Sequence, residues 1–370
     1  MKVLVTGGAG FIGSHVVDRL CELGHEPVVF DALLPAVHLA GSWPDYLRTD
    51  VERWRGDVRD DNAIGLAMRG CGAVIHLAAA VGVGESAYRP AHYTDHNTRG
   101  TAVLLESLID MPRDKRPQRL VVAGSMSSYG EGLYEDADGR HVEPLPRSDA
   151  EMELHNWELP GLTPIPTPEH KRFDLRSVYA QTKRDQEDMS LIVGEQQSLS
   201  VAVPRFFNVY GERQALSNPY TGVAAIFSAQ IANDNAPRVY EDGHQSRDFI
   251  HVSDVARAVC QLAVGDAREF VGPVNIGTGQ QTTIAQLATA LLKLYGKPSL
   301  GLNIRHQYRS GDIRHCYADV SRLRDALGGD WSTVPLADGL ERLADWAETQ
   351  TADDNTARAH RELVQRGLLK

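Results

Sequence analysis

Cysteine is scarce in this chain. Cys21, Cys71, Cys260 and Cys316 stand far apart, with no C-x-x-C pair among them. That spacing excludes a disulfide framework and a zinc site built on thiolates, and it fits reduced thiols in a cytoplasmic protein. A basic surplus is also missing. The 38 lysines and arginines face 49 acidic residues, for a net charge of −11. Nucleic-acid binding through a basic face is therefore not expected, since phosphate contact needs local positive charge. No apolar run reaches the roughly 20 residues of a membrane helix, so no membrane partner is expected. The N-terminal MKVLVTGGAG is interrupted by glycines and reads as a strand and turn, not a leader peptide.

What is present is an alternation of short apolar runs and longer amphipathic stretches. Val3–Val5, Pro27–Phe30, Ala73–Leu77, Leu120–Ala123 and Val201–Phe207 read as buried strands. Helices are predicted over Phe11–Leu23, Asn97–Ile109 and Val178–Val193. Such βαβ order predicts an α/β fold, a Rossmann-type doubly wound parallel sheet. After Phe207 the texture changes. Val271–Ile276 returns to the sheet, and a helix starting near Phe249–His251 is expected to be capped by Ser253 or Asp254. Thr283 and Gln286 form a capping box for another helix. The predicted division is a dinucleotide domain of 1–205 and 243–278, a smaller C-terminal α/β substrate lobe of 206–242 and 279–345, and a polar, peripheral tail of 346–370. Residues 131–172 carry ten acidic residues and six of the 18 prolines with little periodicity. They read as a long inserted loop, expected beside the site or at a subunit contact.

Three motifs carry chemistry. Gly7-Gly-Ala-Gly10-Phe11-Ile12-Gly13 follows a strand and opens a helix, where bare amides and the helix dipole can hold a pyrophosphate. Asp31 ends the next strand, eighteen residues after Gly13, where a carboxylate accepts from ribose hydroxyls. It would repel a 2′-phosphate, and Ala32-Leu33 bring no arginine, so NAD is expected over NADP. Tyr179 and Lys183 lie at i and i+4 on one helix face, where an ammonium lowers a phenol's pKa and makes it a base. Ser125 follows a strand at the end where such sheets bind ligands.

Taken together these motifs resemble the extended short-chain dehydrogenase/reductase family, in its nucleotide-sugar epimerase/dehydratase branch. The matching pieces run in family order from TGGAGFIGSH at 6–15, through Gly56-Asp57-Val58, His76-Leu77-Ala78-Ala79, Asn97, Ser125, Tyr179 and Lys183. They end with RFFNVYG at 205–211, RDFIHV at 247–252, and Arg309 and Asp312. The resemblance implies that Tyr179 is the base, Lys183 its helper on the nicotinamide ribose, and Ser125 a hydrogen bond to the reacting oxygen. It also implies cofactor contacts at Asp57, Val58, Leu77, Ala78, Ala79, Asn97 and Phe206. Asn208, Arg247, Arg309 and Asp312 would hold a nucleotide diphosphate, for which arginine forks are suited.

Family dehydratases and decarboxylases place acids just after the serine, where this chain has Met126 and Ser127. Dehydration is therefore not expected, and C4 epimerisation remains. Arg213-Gln214, the stretch 218–227 and the long segment after Gly130 look most like the 4-epimerases of dTDP-L-rhamnose and of UDP-sugars. A ketoreductase or dehydrogenase with net redox would use the same Ser, Tyr and Lys; tightly retained NAD would mark the epimerase. The family likeness also implies a homodimer, with helices near 97–109 and 178–193 forming a four-helix bundle. No metal is expected.

Overall fold

A computed structural model describes all residues except Ala36, Leu39, Ala40, Ser217, Pro219–Thr221, Ser310, Gly311, Asp330, Thr351–Asp353, Asn355 and Lys370. Asn218-Pro219-Tyr220, which reads as a turn in the sequence, lies largely outside the described residues. The central sheet is built from β1 (Lys2–Thr6), β2 (Glu26–Asp31), β3 (Glu52–Arg55), β4 (Ala73–His76), β5 (Arg119–Val122), β6 (Ser200–Phe206) and β7 (Gly272–Ile276). Their spatial order is β7-β6-β5-β4-β1-β2-β3, and every pairing is parallel. The order reverses at β1 and β4, so a crevice opens beyond their C-terminal ends. A short strand, Gly124–Ser125, continues beyond β5 and pairs with β6, setting Ser125 opposite Phe206.

Burial on both faces explains the apolar strands. Val3, Val5, Ile75 and Val274 point into one core, shared with helices Phe11–Glu22 and Val252–Val264. Leu4, Val28, Val74, Leu120 and Val203 point into the other, where Leu104, Leu105 and Leu108 of helix Gly100–Asp110 pack. Adjacent strand residues alternate between the two cores, as a period of two requires. A third apolar cluster is separate. Phe227 and Ile231 of helix Val223–Ala232, Leu287 and Leu291 of helix Ile284–Leu294, and Leu340 and Leu343 of helix Leu336–Glu348 meet there.

Thr283 and Gln286 do form the reciprocal capping box. The helix at 252 differs from its expectation. His251 is its N-cap, and its ring Nδ1 accepts from the Ser253 amide at 3.3 Å. The helix expected from Asn97 begins earlier, as Pro90–Tyr93, widens into a π turn over Thr94–Arg99, and only then becomes α-helical.

The segment 131–172 is not the loop its composition predicts. Leu133–Glu135 pairs antiparallel with His141–Val142 and with Thr163–Ile165, and Asp149–Glu153 is a helical turn with a Ser148/Glu151 capping box. Its C-terminal end is also tied down. Lys171 Nζ donates to the Tyr129 carbonyl at 2.9 Å, and the Asn275 amide of β7 donates to Glu169 at 2.7 Å. The tail likewise docks instead of lying apart. Helix Thr356–Gln365 brings Glu362 within 3.3 Å of the Tyr88 hydroxyl, Arg366 stacks over the Tyr88 ring, and Leu369 bridges to Arg309. Among the described residues no helix is long and apolar enough to cross a membrane.

Candidate active site

The glycine turn fits a dinucleotide by what it leaves out. A Cβ on Gly13 would lie 2.1 Å from the Gly7 carbonyl oxygen, and one on Gly7, at φ +68°, would lie 2.8 Å from the Ala78 amide nitrogen. Both positions exclude a side chain. Gly10 is the helix N-cap and supplies no side chain to it, so the amides of Phe11, Ile12 and Gly13 keep their N–H groups for a pyrophosphate. Tyr46 closes over the turn, its hydroxyl donating to the Ala9 carbonyl at 3.0 Å.

Asp31 stands at the tip of β2. Its two oxygens accept from the amides of Ala9 at 3.1 Å and Leu33 at 2.9 Å, which leaves lone pairs for ribose hydroxyls. Local sequence shows no basic neighbour, yet His38 folds back to 3.9 Å from Asp31. Burial pushes the His38 pKa down while Asp31 pulls it up, with burial prevailing. A neutral imidazole does not make a 2′-phosphate site, so the preference for NAD stands.

Asp57 is clasped by Arg59, which donates to both its oxygens, and Arg59 also reaches Asp95. Val58 is buried beneath Gly100. Leu77–Ala79 run along the turn, with the Ala78 amide donating to Thr6 Oγ1 at 3.3 Å. Asn97 sits on the π turn, fully buried. Its Oδ1 accepts from the Ala80 amide at 2.7 Å, and its Nδ2 donates to the Ala80 carbonyl and to Thr182, each at 3.0 Å. It thereby ties the β4 loop to helix Val178–Gln197, which carries Tyr179 and Lys183.

That helix begins at Ser177, whose hydroxyl accepts from the Ala180 amide at 3.0 Å. The Tyr179 amide, free in the first turn, donates to Ser86 Oγ at 3.1 Å, and Tyr93 packs edge-on against the Tyr179 ring. Neither Ser86 nor Tyr93 is marked by any motif in the sequence. Burial pushes the Tyr179 phenol up to about 12, although a hydrogen bond from Ser125 works the other way. The expectation that Lys183 lowers this phenol does not hold in the protein alone. Lys183 is itself driven down to about 7 by burial, so near neutrality it carries only part of its charge.

Ser125 Oγ lies 2.8 Å from Ser127 Oγ and accepts from the Ser127 amide at 3.2 Å. Where a dehydratase would place a carboxylate, the hydroxyl-bearing Ser127 and the buried Met126 stand instead. The diphosphate candidates also assemble. Asp312 lies 3.7 Å from Arg247 and 3.4 Å from Arg309. Burial pushes its carboxyl up, but Arg309, Arg247 and Arg147 outweigh that and hold it below the usual range. Arg247 donates to the carbonyls of Ile313 and Arg314 at 2.8 and 3.0 Å, and Arg309 lies over the Tyr240 ring. Asn208 is fixed through its amide on the Asp248 carbonyl at 2.9 Å, and among the described residues its buried Oδ1 has no partner, an open acceptor for a ligand.

Sequence reasoning missed Arg147. It comes from the inserted segment, is 2% exposed, forks onto Glu241 at 2.9 and 3.0 Å, and donates to the Asp312 carbonyl at 3.1 Å. Only its folded position reveals it, because an arginine in an acidic loop looks like a surface charge. Among the described residues no group of three or more His, Cys, Asp or Glu could hold a metal ion.

This is the site of a dinucleotide-dependent enzyme of the short-chain dehydrogenase/reductase type. Residues 3–151 and 158–277 match the NAD dependent epimerase/dehydratase family, and the chain belongs to that family, with NAD as its cofactor. It is 33% identical over 351 residues to a dTDP-L-rhamnose 4-epimerase of Burkholderia thailandensis, covering 93% of this chain and 94% of the relative. A crystal structure of a UDP-glucose 4-epimerase of Thermotoga maritima with UDP-glucose superposes with TM-score 0.74 at 26% identity, over 94% of this chain and 99% of that one. A Thermus thermophilus UDP-glucose 4-epimerase in complex with NAD gives TM-score 0.71 at 26% identity, over 95% of this chain and 100% of that one.

Proposed function

We propose that the protein is an NAD-dependent isomerase that inverts C4 of a nucleotide-diphosphate hexose through a transient 4-keto sugar, and that its substrate is a dTDP-6-deoxyhexose such as dTDP-L-rhamnose. The observation that carries the reaction type is the hydroxyl pair Ser125–Ser127 at 2.8 Å beside Tyr179, with no carboxylate at either position after Ser125. The dTDP-rhamnose assignment is supported by the Burkholderia relative and its near-full coverage.

Bound NAD supplies the acceptor and donor of the C4 hydride. Tyr179 takes the O4 proton and later returns it, and Ser125 holds O4 by a hydrogen bond. The charge of Lys183 favours the phenolate. Arg247 and Arg309 grip the diphosphate while the sugar turns over between the two transfers, and Asp312 holds the two guanidinium groups together.

The remaining architecture belongs to the same reading. We assign 1–205 and 243–278 to the cofactor domain and 206–242 and 279–345 to the nucleotide-sugar lobe, which the separate third core supports. A homodimer would pair helices Gly100–Asp110 and Val178–Gln197 across a two-fold axis. These helices pack side by side and expose Ile109 and Ile192. Four free cysteines suit a cytoplasmic site of action.

The test is a panel of dTDP-, UDP- and GDP-hexoses incubated with the purified protein in D₂O. The expected result is a C4 epimer with no deuterium at C4 and no net change in NADH absorbance. Deuterium at C4 would refute the hydride route, and net NADH production or consumption would make the enzyme a ketoreductase or dehydrogenase.

A further inference from the structure

The role proposed for Lys183 requires positive charge on a side chain that water does not reach. Lys183 is 4% exposed, and no carboxylate among the described residues acts on it. Its ammonium instead donates to Gln186 Oε1 at 2.9 Å, one turn along the same helix. Gln186 is 1% exposed, so its amide is also committed on the other side. Its Nε2 donates to Thr101 Oγ1 at 2.6 Å, Thr101 meets His76 Nε2 at 3.0 Å, and His76 Nδ1 meets Thr6 Oγ1 at 2.7 Å. The chain therefore crosses from the catalytic helix, through helix Gly100–Asp110, to β4 and β1.

Its chemistry fixes one orientation. An ammonium only donates, so the amide must present oxygen to Lys183, and its nitrogen then faces Thr101. Burial drives the His76 pKa down to about 3, with the Lys183 charge adding to this, so the ring is neutral and the whole chain is uncharged. A carboxylate in place of this amide would form a buried ion pair and cancel the positive charge that the proposed role of Lys183 requires. An alkyl side chain would leave the ammonium without an acceptor.

We propose that Gln186 is a positioning residue for the epimerisation. It is a neutral acceptor, locked by Thr101 and His76, that holds the Lys183 ammonium in place without neutralising it. The proposal rests on the reading of Tyr179 as base and Lys183 as its charged neighbour. Among the described residues the titratable group coupled to Lys183 is His76 from β4, and Tyr179 lies one turn before it on its own helix.

The test reads Lys183 directly. The sequence has seven lysines, few enough to follow each carbon-13 Cε resonance through a pH titration, with Lys183→Arg identifying the signal. In Gln186→Glu the Lys183 titration is expected to move up by about one unit or more. The rate-limiting ionisation seen in the kcat–pH profile should move up with it, kcat should fall about tenfold, and KM should change little. In Gln186→Met, which keeps length but removes the acceptor, the lysine titration should move below wild type. A folded Gln186→Glu with an unmoved Lys183 titration overturns the proposal. Should that variant fail to fold, an unmoved titration in Gln186→Met overturns it equally. If the titrations move as stated while no sugar of the panel is epimerised, the assignment of function fails and the lysine–amide relationship stands.

Discussion

Arg205 at the C-terminal end of β6 and Glu187 on helix Val178–Gln197 form a two-pronged ion pair with both side chains 3% exposed. The arginine also donates to the Tyr129 hydroxyl at 2.7 Å and the Glu169 carbonyl at 2.8 Å, so one guanidinium joins sheet, helix and inserted segment. Removing one partner leaves a buried, unpaired charge, which costs about 3–5 kcal/mol. Glu187→Ala should lose stability on that scale in urea denaturation. Arg205→Met with Glu187→Leu should recover most of the loss, since neither charge is then stranded.

The turn at Gly13 predicts a cofactor defect. A methyl group at Gly13 must displace the Gly7 carbonyl, which it would approach to 2.1 Å. Such overpacking costs about 1–3 kcal/mol, roughly a 5- to 150-fold loss in NAD affinity. Isothermal titration with NAD measures it, and wild-type affinity in Gly13→Ala would show that the pyrophosphate does not sit there.

Tyr179→Phe keeps the ring and its packing against Tyr93 but removes the phenol oxygen to which the proposed mechanism gives the acid–base role. The expected fall in kcat is about 10²–10⁴. Ser125→Ala should cost less, because it removes a hydrogen bond and not the base. Equal losses in single-turnover kinetics would place the proton transfer on the serine.

His76 gives the acid stability of the protein a recognisable slope. Its folded pKa lies near 3, below the ordinary 6.5, because burial opposes the charged ring. The unfolded chain therefore takes up a proton first as the pH falls. The stability associated with the neutral ring is complete above about pH 6.5 and is lost progressively toward pH 3, at up to ~1.4 kcal/mol per pH unit. Urea denaturation between pH 6.5 and 4 should show a shallower slope in His76→Gln than in the wild type.

The docked tail predicts an effect on binding more than on chemistry. It spans from Tyr88, two residues past Ser86, to Arg309. Ending the chain after Gln350 should raise KM for the nucleotide sugar by roughly 3- to 10-fold, the size of one or two hydrogen bonds of ~1 kcal/mol. An unchanged KM would show that the tail is a bystander.

Much of this was legible in the sequence because it depends on short-range pattern. The apolar runs place the strands, the glycine spacing places the tight turn before helix Phe11–Glu22, and the pairing of Tyr179 with Lys183 on one helix needs only one helical turn. Other features depend on chain reversal, which periodicity does not record. His38 reaches Asp31 only after the chain folds back. Arg147 joins the Arg247–Asp312–Arg309 cluster only because the inserted segment lies against Glu241 and Asp312. That segment's prolines and acids read as loop, yet three of its short stretches find one another as strands, with pairing supplied by tertiary context and not propensity. The pKa of Tyr179 lies beyond the reach of local pattern for a related reason. A lysine one turn away lowers a phenol only if it is charged, and burial had not been visible.

The wide turn at Thr94–Arg99 has a genetic consequence. A π turn holds one residue more than a regular helix would there, so losing a single codon in this stretch would restore ordinary i→i+4 bonding. The same loss would rotate Asn97 about 100° around the helix axis and away from Ala80 and Thr182. The irregular backbone is thus the condition for the asparagine's reach. The segment should tolerate substitution far better than any change of length, and frame-preserving deletions here should appear as enzymes that fold well and have lost their grip on the cofactor loop.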